Sequence, residues 1–152
     1  MANVDLKGFS ERAYREVTGA SLAGVLECLK DYCRLGIWLE VTTLVIPGHN
    51  DSESELDALT RWVVQTCGPD VPMHFSAFHP DWKMPSTPAT PKSTLTRSRD
   101  IAIAAGLRYV YTGNVHDFDG SSTYCHACGE RLIGRDWYAL STWNIVVDRG
   151  RP

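Results

Sequence analysis

The chain has 152 residues, 43% hydrophobic and 22% charged, with a formal net charge of −3. That size suits one domain or part of a larger one, and the balance is that of a globular protein. The charge leaves no footprint for nucleic acid or an anionic membrane, and no apolar run approaches the roughly 18–20 residues that span a bilayer. Met1 to Lys7 lacks the regions of a signal peptide, so a cytosolic location is expected.

In chain order, Asn3 to Lys7 is a short strand candidate ended by Gly8. Ser10 can cap a helix running to about Val17, with Thr18-Gly19 as its stop. From Ser21, Leu22, Val25, Leu26, Leu29 and Cys33 recur at helical spacing up to Gly36. Ile37 to Ile46 is rich in β-branched residues and runs into Pro47-Gly48, a buried strand followed by a turn. Ser52 and Glu55 form a capping box for a helix to about Thr66, broken by Gly68-Pro69. Met73 to Phe78 is the next strand, and His79 to Ala89 a proline-rich loop. Thr90-Pro91 opens a helix that ends before Gly106, and Arg108 to Tyr111 is a last strand. Alternating strands and crossover helices imply a parallel sheet, hence an α/β fold, open or barrel-like. After Thr112 the pattern stops, so 1–112 is expected as the α/β part and 113–152 as an irregular tail carrying a CxxC knuckle.

Five cysteines in a reducing compartment argue against a disulfide framework, and Cys28, Cys33 and Cys67 are expected as idle thiols. Asp5 and Lys7 lie two apart on a strand and share a face. Inside a barrel they form a pair suited to a zwitterion; on an exposed edge they are two solvated charges. Glu40 and Thr42 likewise share a face, for ligand contact or a structural hydrogen bond. His79, at a strand's C-terminal end, can serve as donor, acid or base, or be structural. Cys125-His126-Ala127-Cys128-Gly129 supplies two thiolates at zinc-knuckle spacing, half of a tetrahedral site, with His116, Asp117 and Asp119 as possible stand-ins. A redox CxxC is the rival, but it expects a strand-to-helix start. There is no P-loop, dinucleotide fingerprint or nucleophile elbow.

Asp5-Leu6-Lys7, Ile46-Pro47-Gly48-His49-Asn50-Asp51, His74-Phe75-Ser76-Ala77-Phe78-His79-Pro80, Tyr111-Thr112-Gly113-Asn114-Val115 and Thr123-Tyr124-Cys125 come in that order. Together they resemble the C-terminal half of radical S-adenosylmethionine (SAM) proteins similar to pyruvate formate-lyase activating enzymes, in particular the radical SAM member of the AmmeMemoRadiSam system. The resemblance covers nearly the whole chain. It implies the C-terminal half of a partial (β/α)6 TIM-like barrel with half a zinc ribbon. It also implies Asp5, Lys7 and His79 as SAM-binding residues, with Thr42 on a strand lining the same pocket where activating enzymes have Arg. Such enzymes cleave SAM reductively to a 5′-deoxyadenosyl radical that abstracts hydrogen from a substrate.

The family's [4Fe–4S] cluster sits on a CxxxCxxC motif, which this chain lacks. Gly150-Arg151-Pro152 stands where relatives continue into a second CxxC. The expectation is a severed enzyme, inactive alone and acting on an unknown substrate, either a truncated or frameshifted gene product or one half of a split enzyme whose other chain supplies the cluster-bearing half. Two rivals stand beside it. One is a non-catalytic α/β module that binds metal, such as zinc, or a partner through Cys125 and Cys128. The other is a (β/α) metal hydrolase, which needs more strand-end ligands than His79.

Overall fold

The structure is a computed structural model and describes residues 1–146. Four parallel strands, β1 (Ala2–Asp5), β2 (Leu39–Val45), β3 (Met73–Ala77) and β4 (Val110–Gly113), pair in the order β1-β2-β3-β4. Helices α1 (Glu11–Thr18) and α2 (Leu22–Arg34) join β1 to β2, α3 (Glu53–Cys67) joins β2 to β3, and α4 (Lys92–Ala104) joins β3 to β4. The α/β fold expected from the alternation is present. A short helix, α5 (Phe118–Ser121), then leads into a three-stranded antiparallel sheet of β5 (Thr123–Tyr124), β6 (Arg131–Asp136) and β7 (Ala139–Trp143). Gly150-Arg151-Pro152, which stands where relatives are expected to continue into a second CxxC, lies outside the described residues.

Burial alternates strictly along the parallel strands. In β2 Leu39, Val41, Thr43 and Val45 are buried, while Glu40, Thr42 and Leu44 are only half-buried. In β3 Met73, Phe75 and Ala77 are buried and His74 and Ser76 are not. The buried face packs with Tyr14, Leu22, Leu29, Leu56, Leu59, Val63, Leu95 and Ala102 of the helices, so all four helices cover one face. Each fully buried Leu or Phe there contributes about 1.5–3 kcal/mol relative to leaving it exposed. The opposite face carries none of these four helices and is partly covered by the tail.

Local chemistry explains the boundaries. Ser10 Oγ accepts from Ala13 N at the start of α1, and Gly19 ends it at φ 71°. Ser52 Oγ accepts from Glu55 N, but the Glu55 carboxylate does not close the capping box. It accepts instead from Phe9 N at 2.7 Å, tying α3 to the β1–α1 turn. Thr90 does not cap α4 as expected. Its buried hydroxyl donates to Val45 O (2.6 Å) and accepts from Phe78 N (2.9 Å), stitching the ends of β2 and β3 together. Pro91 therefore takes the N-cap position without a side-chain bond.

Two of the five cysteines depart from the expectation of idle thiols. Cys33 at the end of α2 and Cys67 at the end of α3 form a disulfide, with Cα atoms 5.4 Å apart. The helix periodicities place each cysteine but say nothing of how two helices align their ends. Cys28, Cys125 and Cys128 are free.

Candidate functional site

The helix-free face is built by strand register. Asn3 pairs with Glu40, Asp5 with Thr42, Thr42 with His74, and His74 with Tyr111. All lie on the uncovered parity, so Asp5, Thr42, His74 and Tyr111 form one row across the sheet. Adjacent strands lie about 4.8 Å apart, so the step from Asp5 to His74 is about 10 Å.

At the β1 end, Lys7 Nζ lies 3.0 Å from Asp5 Oδ1, and the side chains are 30% and 55% exposed respectively. A pair that wet contributes under about 1 kcal/mol to stability. Both charges remain accessible, one of each sign. Thr42 Oγ1 donates to Asn3 Oδ1 at 3.0 Å, so the hydroxyl already has a structural partner beside Asp5.

In the centre, His74 Nε2 lies 3.3 Å from Glu40 Oε2, near enough for attraction. The approach is not aligned as a hydrogen bond, and the buried Nε2 has no such partner. Burial pushes the His74 pKa below its ordinary value; Glu40 opposes this, Arg135 adds to it, and the net direction is down. The ring is thus neutral at neutral pH. It stacks on Tyr111 with centroids 5.1 Å apart.

The tail sheet closes the β4 side. Tyr111 Oη lies 3.1 Å from Thr123 Oγ1, and the Arg135 guanidinium sits 5.0 Å from the centre of the Tyr111 ring. Two cavities flank this contact. One of about 430 Å³ runs below it past Glu40 and Trp38, and one of about 270 Å³ opens at the C-terminal end of β4 beside Gly113 and Asn114. Substrates of open and closed parallel sheets bind at that end of the strands.

The strand ends themselves are stitched rather than free. Asn50, in the turn after β2, is buried; its Nδ2 donates to Lys7 O (2.8 Å) and Leu44 O (2.9 Å), and its Oδ1 accepts from Ile46 N (2.7 Å). His79 stands two residues past β3, exposed, with no hydrogen bond among the described side-chain contacts. The structure thus brings Asp5, Lys7 and Thr42 together and leaves His79 apart from them.

Cys125 and Cys128 occupy the turn between β5 and β6. Gly129 N donates to Cys125 O, Cys125 N donates to Glu130 O, and Gly129 adopts φ 77°. Amides of Ala127 and Cys128, and the Cys128 thiol, point at Cys125 sulfur and lower its pKa. Among the described residues no three His, Cys, Asp or Glu side chains converge on a metal-sized site. The stand-ins are engaged elsewhere: His116 with Asp136, Asp117 with Lys92 and Thr112, and Asp119 with Arg131. Burial pushes the Asp117 carboxyl up, but Lys92, Thr112 and the Gly120 amide outweigh it and hold it below the ordinary value. Among the described residues no helix is long and apolar enough to cross a membrane.

Sequence reasoning placed Glu40 on this face but missed His74, Tyr111 and Arg135 as its companions. Strand parity pointed to His74 as much as to Thr42, but their juxtaposition needs the β2–β3 register. Arg135 carries no local signal, because its position depends on how the tail folds back.

No family model matches the chain. It is 42% identical over 149 residues to the uncharacterized protein MJ0808 of Methanocaldococcus jannaschii, covering 98% of this chain and 44% of that protein. The chain thus spans less than half the length of that relative. In fold it is similar to the crystal structure of a domain of pyruvate-formate lyase-activating enzyme from Bacteroides vulgatus. The TM-score is 0.65 at 12% identity, over 74% of this chain and 66% of that one.

Proposed function

We propose that the chain is the C-terminal part of a radical SAM barrel of the activating-enzyme kind, and that its helix-free face holds the amino-acid end of SAM. The observation that carries this reading is the winding: four parallel strands in chain order with the crossover helices α1 to α4 on one face. Doubly wound sheets reverse their strand order and carry helices on both faces. A barrel keeps chain order and turns its helix-free face inward. The fold likeness to the activating-enzyme domain supports the same reading.

The residues fit one end of the cofactor. Asp5 offers a carboxylate to the SAM ammonium and Lys7 an ammonium to its carboxylate, with Thr42 adjacent on β2. His79 joins them only if the loop of residues 79–89 folds over the strand ends. The residues do not fit the cluster. Of the three free cysteines only Cys125 and Cys128 are close in sequence, and among the described residues no third ligand joins them. Cluster ligands, and the reductive cleavage they support, are therefore assigned to a partner chain or to further sequence such as the longer relative has.

The test is to supply this chain with an N-terminal half carrying CxxxCxxC, fused or as a separate chain. The assembly is reconstituted anaerobically with iron and sulfide and assayed for 5′-deoxyadenosine under reductant. Cleavage is expected, with Asp5→Asn and Lys7→Met raising the KM for SAM about tenfold or more. An assembly that binds its cluster yet cleaves no SAM overturns the reading.

A second reading, a metal- or partner-binding α/β module, is favoured by the amides aimed at Cys125 sulfur. It requires stoichiometric zinc on the purified chain, lost together in Cys125→Ser and Cys128→Ser. Zinc that stays bound in both variants removes it.

A further inference from the structure

Arg135 is held in place yet left without a counter-ion. Its Nε donates to Ser121 O at 2.6 Å, and its backbone is fixed by Ser121 Oγ donating to Arg135 O and by Arg135 N donating to Ser122 Oγ. Its guanidinium lies against the Tyr111 ring, and among the described residues it makes no ion pair with a carboxylate. A guanidinium anchored through Nε presents its remaining donors as a fixed fork, the geometry that takes a carboxylate or phosphate bidentately. The cavity of about 270 Å³ at the end of β4 is lined by this arginine, by Tyr111, Trp137 and Tyr138, and by no carboxylate.

The hairpin tip adds a second observation. Asp136 pairs with Ala139, leaving Trp137 and Tyr138 as a two-residue loop. Of the two only Trp137 has positive φ, at 52°, the pattern of a type II′ turn. Glycine normally takes that first position, and a bulky side chain there is strained. Strain of that kind is kept where the surroundings or a function require the side chain. Tyr138 beside it is 95% exposed, so burial does not hold the tip together.

We infer that this cavity is a binding site for a planar molecule bearing an oxyanion, with Arg135 taking the carboxylate or phosphate and Trp137 and Tyr111 flanking the ring. Asn114, in left-handed backbone at φ 60°, donates to Ala77 O and shapes the floor of the site. The cavity shares its sheet face with Asp5 and Lys7, at the β4 end of the row that Asp5 begins. It thus names the substrate class of the proposed enzyme. That assignment rests on the radical SAM reading, whereas the binding itself does not.

The test is calorimetric titration of the chain, without SAM, using indole-3-carboxylate, phenyl phosphate and the neutral indole-3-carboxamide. The expected result is binding of at least one anionic probe, with the carboxamide at least tenfold weaker than the carboxylate or showing no binding where only phosphate binds. Preference between the two anionic probes tells carboxylate substrates from phosphorylated ones. Arg135→Gln should abolish the anion preference. Trp137→Gly should weaken the probe that binds while holding or raising the melting temperature, because glycine relieves the positive φ. Equal binding of carboxylate and carboxamide, no binding of any probe, or an unchanged preference in a folded Arg135→Gln variant overturns the inference. Failure of SAM cleavage in the assembled enzyme leaves these titrations unaffected, so the two readings fail separately.

Discussion

Asn50 sits where β1 and β2 end and the chain must turn, leaving carbonyls of both strands with no ladder partner. One amide side chain satisfies Lys7 O, Leu44 O and Ile46 N. At about 0.5–1.5 kcal/mol per net hydrogen bond, Asn50→Ala is expected to cost about 2–4 kcal/mol, read as a lower denaturant midpoint at unchanged slope. His74 makes a different prediction. Because burial lowers its folded pKa below the unfolded value near 6.5, its contribution to stability is complete above that pH. It is lost as pH falls from about 6.5 toward the folded value, since the unfolded chain takes up the proton first. A proton NMR titration of His74 should give a midpoint below 6.5, moved further down by Glu40→Gln and up by Arg135→Gln. A midpoint at or above 6.5 contradicts the burial argument. Legibility at this scale followed locality. Asp5 and Lys7 are two residues apart and visible as a pair, whereas Asn50 looked like one more turn residue because its three partners lie on two strands.

Helix starts were readable because a cap and its partner lie within three residues, as with Ser10 and Ala13 or Ser52 and Glu55. Long-range competition undid the finer detail. Glu55 was drawn off to Phe9 and Thr90 to Val45, each for a buried or half-buried bond more than ten residues away. The Cys33–Cys67 bridge was illegible for the same reason, since it depends on how α2 and α3 lie side by side. Closing a loop across a separation of 34 residues stabilises a chain by about 3–4 kcal/mol in the chain-entropy account. Thiol titration of the protein denatured without reductant should find three reactive cysteines, and five after reduction. Five at the outset would show that the helix ends hold together without the bond. The last strand was expected at Arg108 to Tyr111 but spans Val110–Gly113. Arg108 is spent on the preceding turn, with its N–H to Pro69 O and its side chain to Asp70.

Among the described residues the buried apolar side chains all lie from Leu6 to Val110. The tail sheet adds contacts to the helix-free face but no side chain to that core. Removal of residues 123–152, keeping α5 and the Asp117 contacts to Lys92 and Thr112, should therefore leave a cooperatively folding protein. Its melting temperature is expected to fall by only a few degrees, seen by far-UV circular dichroism, while oxyanion binding is lost. A shortened chain without a cooperative transition would show that the tail is integral to the fold. At this scale the parallel sheet was legible from the alternation of elements, but the antiparallel sheet was not. Its strands carry little apolar periodicity, since β7 is almost wholly exposed.

Because β1 through β4 pair only with their neighbours in sequence, no connection passes over another strand. In a sheet wound this way whole strand-and-helix units can be added or removed at the β1 edge without crossing what is already there. A gene encoding it can thus gain or lose such units on that side, or be divided between two reading frames there, without rethreading what remains.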